Sequence, residues 1–395
     1  MIKFDFETYM SDKVKIDLEK KNKLIERLKT EDMAGFINNI ISNDEMNLIK
    51  EHAKIVRNNA DVLLIIGIGG SYMGSYSIYE MFKNYFKKEK PEIIYIGNDL
   101  SSKYLSEVLD YIKDKSIFVN VISKSGTTLE IRLIYQIIKN FMKDKYDDLE
   151  LKKRIIVTTD EEKGVLRDEV NKYGYKSFVI PTDIGGRYSL MTSAHLFPLA
   201  VAGFDIDALL NGYINGLKLI DEAYLYANIR INQFNKGKYI ENFSVYNSNM
   251  YYYTEWIKQL FGESEGKNNK GIFPISTVNT RDLHSLGQFI QQGNNIIFET
   301  IIKVLNNNDI KINNTSLNKI NNLVCDSVCV AHLRGNTPSN VITIDSITLE
   351  NIGEMSAFFM LAAVFSSYLF SVDPFTQPGV EEYKDEVKKK LDNNN

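Results

Sequence analysis

Five short runs of aliphatic and β-branched residues lie in the first half of the chain, and each ends in small or polar residues. Stretches of helical length separate them, such as "SYSIYEMFKNYFKK" and "LEIRLIYQIIKNFMKDKY". Strands that alternate with helices are typical of a parallel sheet covered by helices on both faces. The pattern therefore predicts an α/β fold with a doubly wound parallel sheet. The five runs are "DVLLIIGIGGS" (61–71), "EIIYIGND" (92–99), "SIFVNVISKSGTT" (116–128), "RIIVTTD" (154–160) and "SFVIP" (177–181).

A second set of strand-like runs follows the long middle helices, and we expect it to form a second domain of similar plan. A chain of 395 residues is too long for one core of ordinary size. We predict a charged, helical extension over 1–45, a first doubly wound domain over 46–190 and a second over 191–395. The Asn-rich piece 304–322 is predicted to be a surface loop leading into a helix. The runs of the second set are "NFSVYN" (242–247), "KGIFPISTV" (270–278), "NIIFETI" (295–301) and "NVITID" (340–345).

The composition argues against nucleic acids and membranes as partners. Charged residues make up 25% of the chain and the formal net charge is -4, so no overall basic field attracts nucleic acid. The N-terminus has acidic residues where a signal peptide would be apolar, and no later segment offers eighteen uncharged apolar residues. We expect a cytoplasmic protein whose ligand can still be a small anion bound at a local site.

The two cysteines, Cys325 and Cys329, share one face of a predicted helix with His332. These three side chains could be metal ligands. A fourth ligand and any CxxC spacing are missing, which favours a core helix that buries two thiols and a hydrogen-bonded histidine. We assign no metal to the chain.

The segment from Ser123 to Thr128 places four hydroxyls and Lys124 at the carboxyl end of a predicted buried strand. In doubly wound sheets, ligands bind beyond this end of the strands, where helix N-termini present free N–H groups. A cap on the following helix would explain one hydroxyl. The surplus of hydroxyls, together with the lysine, fits the three acceptor oxygens of a phosphate monoester.

The glycine-rich loop "GIGGSYMGS" (67–75) is a second candidate for anion binding. It does not match a dinucleotide fingerprint, because Tyr72 occupies the position of the third glycine. It does not match a P-loop either, because Ser75 stands where the lysine belongs. A tight turn remains that can bring backbone N–H groups and Ser71 close to an anion, although a turn without a ligand explains the loop equally well. The two loops together favour a ligand, since both would open at one edge of the sheet.

Charged and amide residues with the chemistry of catalytic groups follow in the remaining motifs. Arg187 comes after paired glycines, and Gln259 and Glu263 lie four residues apart at the end of a predicted helix. His284 is predicted at the start of a helix, while Gln377 and Lys384 flank a Pro-Gly turn. Taken singly, the charges could be solvated surface groups, and the histidine could be a helix cap.

The motifs in combination resemble those of the glucose-6-phosphate isomerase (phosphoglucose isomerase) family, in its compact bacterial form. They are "IGIGGSYMGS", "SKSGTT", "IGGRYSLMTSA", "GESEGK", "DLHSLGQ" and "QPGVEEYK", and they run from Gly67 to Lys384. The resemblance implies two sugar-isomerase domains and interconversion of glucose 6-phosphate and fructose 6-phosphate through an enediolate, without a cofactor. It also implies a homodimer with a shared active site, in which the partner subunit contributes the residue matched by His284.

The resemblance also implies roles for individual residues. Glu263 would be the base, Arg187 would stabilise the enediolate, and His284 with Lys384 would open the sugar ring. Pro378 and the Ser125–Gly126 pair depart from long animal-type members, but no charged catalytic group is lost. A non-catalytic sugar-phosphate sensor and an isomerase that also accepts mannose 6-phosphate remain alternatives. The implied substrate-binding residues are Gly70, Ser71, Ser123, Lys124, Ser125, Thr128, Gln259 and Gln377.

Overall fold

The computed structural model describes residues 2–87 and 89–393. The chain divides into two compact units. The continuous unit is Lys29–Leu210, and the split unit combines Met1–Leu28 with Asn211–Asn395.

Short strands and helices alternate along most of the described chain. The strands are β1 (Lys3–Asp5), β2 (Val62–Ile66), β3 (Glu92–Ile96), β4 (Ile117–Ile122), β5 (Ile155–Thr159), β6 (Lys176–Val179), β7 (Ile240–Val245), β8 (Phe273–Val278), β9 (Ile297–Val304), β10 (Lys311–Ile312), β11 (Thr315–Ser316) and β12 (Ser339–Ile344). The helices are α1 (Leu18–Lys29), α2 (Gly35–Asn38), α3 (Asn43–Asn59), α4 (Met73–Phe82), α5 (Ser102–Ile112), α6 (Leu129–Lys145), α7 (Asp148–Arg154), α8 (Val165–Tyr173), α9 (Ser193–Val201), α10 (Ile206–Gly216), α11 (Ile220–Asn235), α12 (Tyr251–Glu265), α13 (Gly287–Gln292), α14 (Leu317–Arg334), α15 (Leu349–Leu369) and α16 (Gly379–Asn393).

The sheet of the continuous unit has the strand order β3-β2-β4-β5-β6, and all its pairings are parallel. Every residue of β2 and β4 is buried, as expected for a sheet that helices cover on both faces. The chain leaves β2 towards β3 on one side and continues to β4 on the other. The topological switch point of the sheet, where ligands usually bind, therefore lies between the carboxyl ends of β2 and β4.

The sheet of the split unit has the order β1-β12-β9-β7-β8 and is parallel except for β1. Its first long strand, β7, again lies between the next two strands of the chain, so the plan of the continuous unit is repeated. These two sheets confirm the predicted α/β class and the doubly wound arrangement.

The compact units do not divide at the predicted domain boundaries of 45/46 and 190/191. Helix α9 packs against α3, α4 and β6 and so belongs to the continuous unit. The N-terminal residues were predicted to be a helical extension, but β1 is an antiparallel edge strand beside β12. Phe4 in that strand and Phe6 just after it contact the rings of Phe358 and Tyr226 at centroid distances of 4.6 and 5.6 Å, respectively. These apolar contacts explain why the segment joins the distant sheet.

Helix α15 is, within the described residues, the one helix long and apolar enough to pass a membrane-span test. Of its most apolar stretch, 89% is buried inside the protein. Serines interrupt the apolar run, which agrees with a core helix.

Helix α14 carries Cys325, Cys329 and His332, and all three side chains are buried. The His332 Nδ1 atom lies 2.5 Å from Glu299 Oε2. The core interpretation of this helix face is thereby confirmed. The Asn-rich segment before the helix holds the small hairpin of β10 and β11, which the sequence pattern did not predict.

Candidate active site

A cavity of about 590 Å³ opens beside the carboxyl ends of β2, β4 and β5 in the continuous unit. It lies at the switch point of the sheet, where both predicted anion loops end. The polar residues that line it are Ser71, Ser123, Lys124, Ser125, Thr127, Thr128, Asp160 and Lys163. The structure therefore brings the two loops together in one cavity.

The loop from Ser123 to Thr128 is held by its own hydroxyls. Ser123 Oγ accepts a hydrogen bond from the Gly126 N–H at 3.0 Å, and the hydroxyls of Ser125 and Thr127 lie 2.7 Å apart. Gly126 has a φ of +73°, and a Cβ atom there would come within 2.9 Å of Leu166 Cγ. Only glycine suits this position, and the hydroxyl protons of the loop can still be donated to a ligand.

Thr128 occupies the N-cap position of α6, but its side chain makes no capping hydrogen bond. The simple explanation of the hydroxyls as a helix cap is therefore wrong for this residue. The first N–H groups of a helix have no partner within the helix. In a helix of 17 residues, they and the positive end of the dipole favour a bound anion.

Lys124 ties this loop to the segment that leads to Arg187. Its Nζ atom donates to the Thr182 carbonyl at 2.8 Å and to the Ile184 carbonyl at 3.4 Å. Burial lowers the pKa of Lys124, while the charges of Asp160 and Asp183 oppose that shift. Backbone carbonyls thus fix the position of the ammonium group.

The glycine-rich turn approaches the Arg187 turn very closely. Gly69–Ser71 and Gly186–Tyr188 are both single 3-10 turns. A Cβ atom on Gly70 would lie 2.3 Å from the backbone carbon of Gly186, so any side chain there would force the turns apart. Arg187 is only 2% exposed, which excludes the alternative of a surface arginine.

Sequence reasoning assigned no individual role to three polar residues of this cavity, namely Thr127, Asp160 and Lys163. The last two follow β5, which neighbours β4, so the polar end of the run "RIIVTTD" was a usable signal. Backbone N–H groups, first that of Glu162, hold the pKa of Asp160 below its ordinary value. The carboxylate thus stabilises its own loop.

In the split unit, Gln259 and Glu263 lie on one face of α12 as predicted. The Gln259 Nε2 group donates to Glu263 Oε1 at 3.1 Å, and both residues are half-buried. Lys267 donates its ammonium protons to the carbonyls of Glu263 and Ser264 at 2.9 and 2.6 Å. A cation at these carbonyls, near the C-terminus of the helix, offsets the unfavourable helix dipole beneath the carboxylate. Sequence reasoning assigned no role to this lysine.

The C-terminal segment is anchored to the end of α12 through the same lysine. Lys267 Nζ also donates to the Asp373 carbonyl at 2.6 Å, four residues before Gln377. Lys384 lies further on, in the exposed helix α16, where its Nζ pairs with Glu381 Oε1 at 2.7 Å. The charge of Lys384 is thus paired with a neighbour on its own helix.

His284 lies far from Glu263 within the split unit. It is exposed and ends the 3-10 turn Arg281–His284, which follows the carboxyl end of β8. Glu263 lies near the amino end of that strand, since a Cβ on Gly262 would be 3.6 Å from Pro274 Cγ. The six residues of β8 span roughly 20 Å at about 3.3 Å per residue. The two residues are therefore at opposite ends of the strand.

Two solved structures share the arrangement of elements. A hypothetical protein of Thermus thermophilus has a TM-score of 0.85 at 22% identity, with 95% of this chain and 94% of that chain covered. A glucose-6-phosphate isomerase from Chlamydia trachomatis has a TM-score of 0.76 at 20% identity, with 97% and 76% covered. At these identities the likeness establishes the fold.

Sequence comparison goes beyond the fold. The family model described as phosphoglucose isomerase matches residues 30–332. The glucose-6-phosphate isomerase of Staphylococcus haemolyticus is 43% identical over 363 residues, which cover 86% of this chain and 82% of that protein. That of Staphylococcus saprophyticus is 42% identical over 378 residues, which cover 89% and 85%. The chain belongs to the phosphoglucose isomerase family.

Proposed function

We propose that the chain interconverts glucose 6-phosphate and fructose 6-phosphate by moving a proton between C1 and C2. The observation that carries the proposal is the hydroxyl-lined cavity at the switch point of the continuous unit, which suits a phosphate monoester. Ser71, Ser123, Ser125 and Thr128 donate to the phosphate oxygens, and Lys124 adds a positive charge. In this proposal, the backbone at Gly70 lies beside the bound phosphate.

Glu263 is the proposed base of the isomerisation. A single carboxylate on one face of an enediolate can take the proton from one carbon and return it to the other. Gln259 already holds one carboxylate oxygen, and Lys267 fixes the backbone of the same turn. The carboxylate is thus oriented before the substrate binds, which lowers the entropic cost of proton transfer.

Arg187 is the proposed cation beside the developing enediolate oxygen. A guanidinium group stays charged at any working pH, and a buried one acts in a low-dielectric environment where its charge is most effective. Its backbone position is fixed by the close approach of Gly186 to Gly70. Gln377 is proposed to contact the sugar hydroxyls.

His284 and Lys384 are the proposed acid–base groups that open the sugar ring, with His284 acting in the site of a partner subunit. The position of Glu263 and His284 at opposite ends of β8 supports this assignment, since one chain cannot easily bring both to one substrate. Leu286 and Phe289 beside the histidine are 42% and 46% exposed. Exposed apolar residues of this kind are typical of protein interfaces. We therefore propose a homodimer with a shared active site.

The function is tested with purified protein in EDTA, by coupling the conversion of fructose 6-phosphate to the oxidation of the glucose 6-phosphate formed. EDTA is included because each proposed step uses only side chains. We expect turnover with this substrate pair. A folded protein that binds the sugar phosphate without turnover would instead support a sensor, and turnover of mannose 6-phosphate would widen the substrate range.

The shared site is tested by mixing two inactive variants, Glu263→Gln and His284→Ala, after subunit exchange. If His284 acts across the interface, one of the two sites in a mixed dimer contains both intact residues, and activity returns. Exchange is monitored by mass spectrometry with one variant isotope-labelled. Mixed dimers without activity would contradict the shared site but not the proposed reaction.

A further inference from the structure

His195, in helix α9, is a buried histidine to which the proposed reaction assigns no role. Its Nε2 atom lies 2.8 Å from the Gly70 carbonyl oxygen, and the Ser75 N–H donates to its Nδ1 atom at 3.0 Å. A carbonyl can only accept and a backbone N–H can only donate. The ring must therefore carry a proton on Nε2 and none on Nδ1, which is the neutral form.

The same ring contacts the turn that carries Arg187. The Ser189 hydroxyl lies 3.1 Å from His195 Nε2 and donates to the Gly186 carbonyl at 2.6 Å. His195 thus joins three segments of the continuous unit: the glycine-rich turn, the first turn of α4 and the Arg187 turn. A Cβ on Gly74 would come within 2.9 Å of the ring, so the fit of the imidazole also requires that glycine.

We propose that His195 is a positioning residue that holds the turn Gly69–Ser71 against the Arg187 turn, and so keeps the phosphate site in its binding geometry. The inference rests on the proposed function in that it takes this turn to bind phosphate. Fixing the Gly70 carbonyl orients the whole peptide plane that leads into Ser71, because the peptide bond is rigid. Burial lowers the pKa of His195 to about 4, so the ring stays neutral near pH 7.

The substitutions His195→Gln and His195→Asn test the two hydrogen bonds of the ring separately. The amide of His195→Gln reaches the position of Nε2 and can still donate to Gly70. The amide of His195→Asn reaches only the position of Nδ1, so the bond to Gly70 is lost. The free energy of one such bond limits the loss of affinity to about a fivefold to tenfold change. We expect His195→Asn to raise KM by this factor with little change in kcat, and His195→Gln to retain a KM near that of the wild type.

The matched control is Ile138→Ala, which removes a fully buried side chain of the same unit from α6. It should lower the melting temperature and leave KM unchanged. Equal KM values for the two His195 variants, whether raised or not, would overturn the proposal and leave His195 a purely structural residue.

Calorimetric titration with inorganic phosphate and with fructose 6-phosphate makes the test independent of turnover. We expect His195→Asn to bind both more weakly than His195→Gln does. If the wild type binds phosphate but turns over neither sugar phosphate, the proposed reaction fails while the role of His195 is still measured. Unaltered phosphate affinity in a folded His195→Asn variant would overturn the positioning role.

The wild-type protein offers a further test that needs no substitution at His195. In a spectrum of protein with ¹⁵N-labelled histidine, the ring should show the Nε2–H tautomer at pH 7, and phosphate should leave that tautomer unchanged. A ring protonated on Nδ1 would be incompatible with the hydrogen bond from Ser75 and would overturn the proposal.

Discussion

The sheets of the two units follow the same strand plan but bury different chemistry. In the continuous unit, the interior strand β2 consists of five fully buried aliphatic residues, and polar groups become frequent where the strands end. In the split unit, Glu241 and Glu299 are fully buried within neighbouring strands. The polar groups of the first sheet lie in the loops that follow its strands, while the second sheet has ionisable side chains buried within its strands.

Two buried carboxylates of the split unit, Glu241 and Glu265, meet Arg230 at the end of α12. Arg230 Nε lies 2.6 Å from Glu241 Oε2, and the same guanidinium contacts Glu265, the last residue of the helix. Glu265 is two residues beyond the proposed base, Glu263. Desolvation makes such a network expensive unless its members are paired. The comparison suggests that the switch-point loops are held by hydrogen bonds between neutral groups and from Lys124, whereas the helix end that carries Glu263 is held by buried ion pairs.

The largest effect is expected for Glu263→Gln, which tests whether the proton transfer depends on the split unit. General acid–base groups contribute about 10²-fold to 10⁴-fold to a rate, so kcat should fall by such a factor while fructose 6-phosphate still binds. Steady-state kinetics and calorimetry measure the two quantities. Glu255→Gln, at the other end of α12, is the matched control and should remain active. A near-normal rate in Glu263→Gln would rule it out as the base.

The next largest effect is expected for Arg230→Met, which removes the cation between two buried carboxylates. Breaking a buried ion pair costs about 3–5 kcal/mol of unfolding free energy, measured by urea denaturation. Lys153→Met in the continuous unit is the comparison, because Lys153 pairs with Glu150 on the surface and should matter little. Similar losses in the two variants would remove the contrast between the units.

A smaller, pH-dependent effect is expected from His195 in the continuous unit. Its pKa falls from 6.5 to about 4 on folding because the ring is buried, so the unfolded chain binds a proton that the folded chain excludes. The neutral ring contributes stability above pH 6.5, and roughly 3 kcal/mol of it should be lost as the pH falls to 4. The difference in unfolding free energy between the wild type and His195→Gln, measured across this range, isolates the effect.

Burial has the opposite consequence for Glu265 in the split unit. Desolvation raises the pKa of this carboxyl group, so the folded state binds the proton more readily than the unfolded state does. Its contribution to stability should therefore decline as the pH rises past the ordinary glutamate range. If the difference in unfolding free energy between the wild type and His195→Gln does not change with pH across the same range, the contrast between His195 and Glu265 is contradicted.

The smallest effect is expected from removing one methyl group from the apolar core of each unit. Ile138→Val in α6 and Ile257→Val in α12 alter fully buried side chains, and each should cost about 0.5–1.5 kcal/mol. Urea denaturation of both variants measures the costs. Equal losses of unfolding free energy would mean that the units differ only in their buried charges. Clearly unequal losses would show that their apolar cores differ as well.

Much of the fold and part of the site could be predicted from the sequence, because those features depend on neighbours along the chain. The apolar runs identified the nine parallel strands of the two sheets, since strands covered on both faces are rich in apolar residues. The hydroxyls that follow Ile122 marked the cavity, because a strand end and the next helix start are adjacent in sequence. The four-residue spacing of Gln259 and Glu263 placed them on one helix face for the same reason.

Only the tertiary structure decided which distant segments meet. Strand β1 pairs with β12, although more than 300 residues separate the two in the sequence. Arg230, Glu241 and Glu265 lie on three separate elements, and the arginine contacts the two carboxylates only in the folded unit. The hydrogen bonds of His195 likewise join segments that are 6 to 125 residues away. Such contacts have no local period or motif, because they are selected by the burial of apolar surface and the pairing of buried polar groups across the whole unit. For that reason the sequence marked the groups that carry the chemistry, and the fold decided what holds them in place.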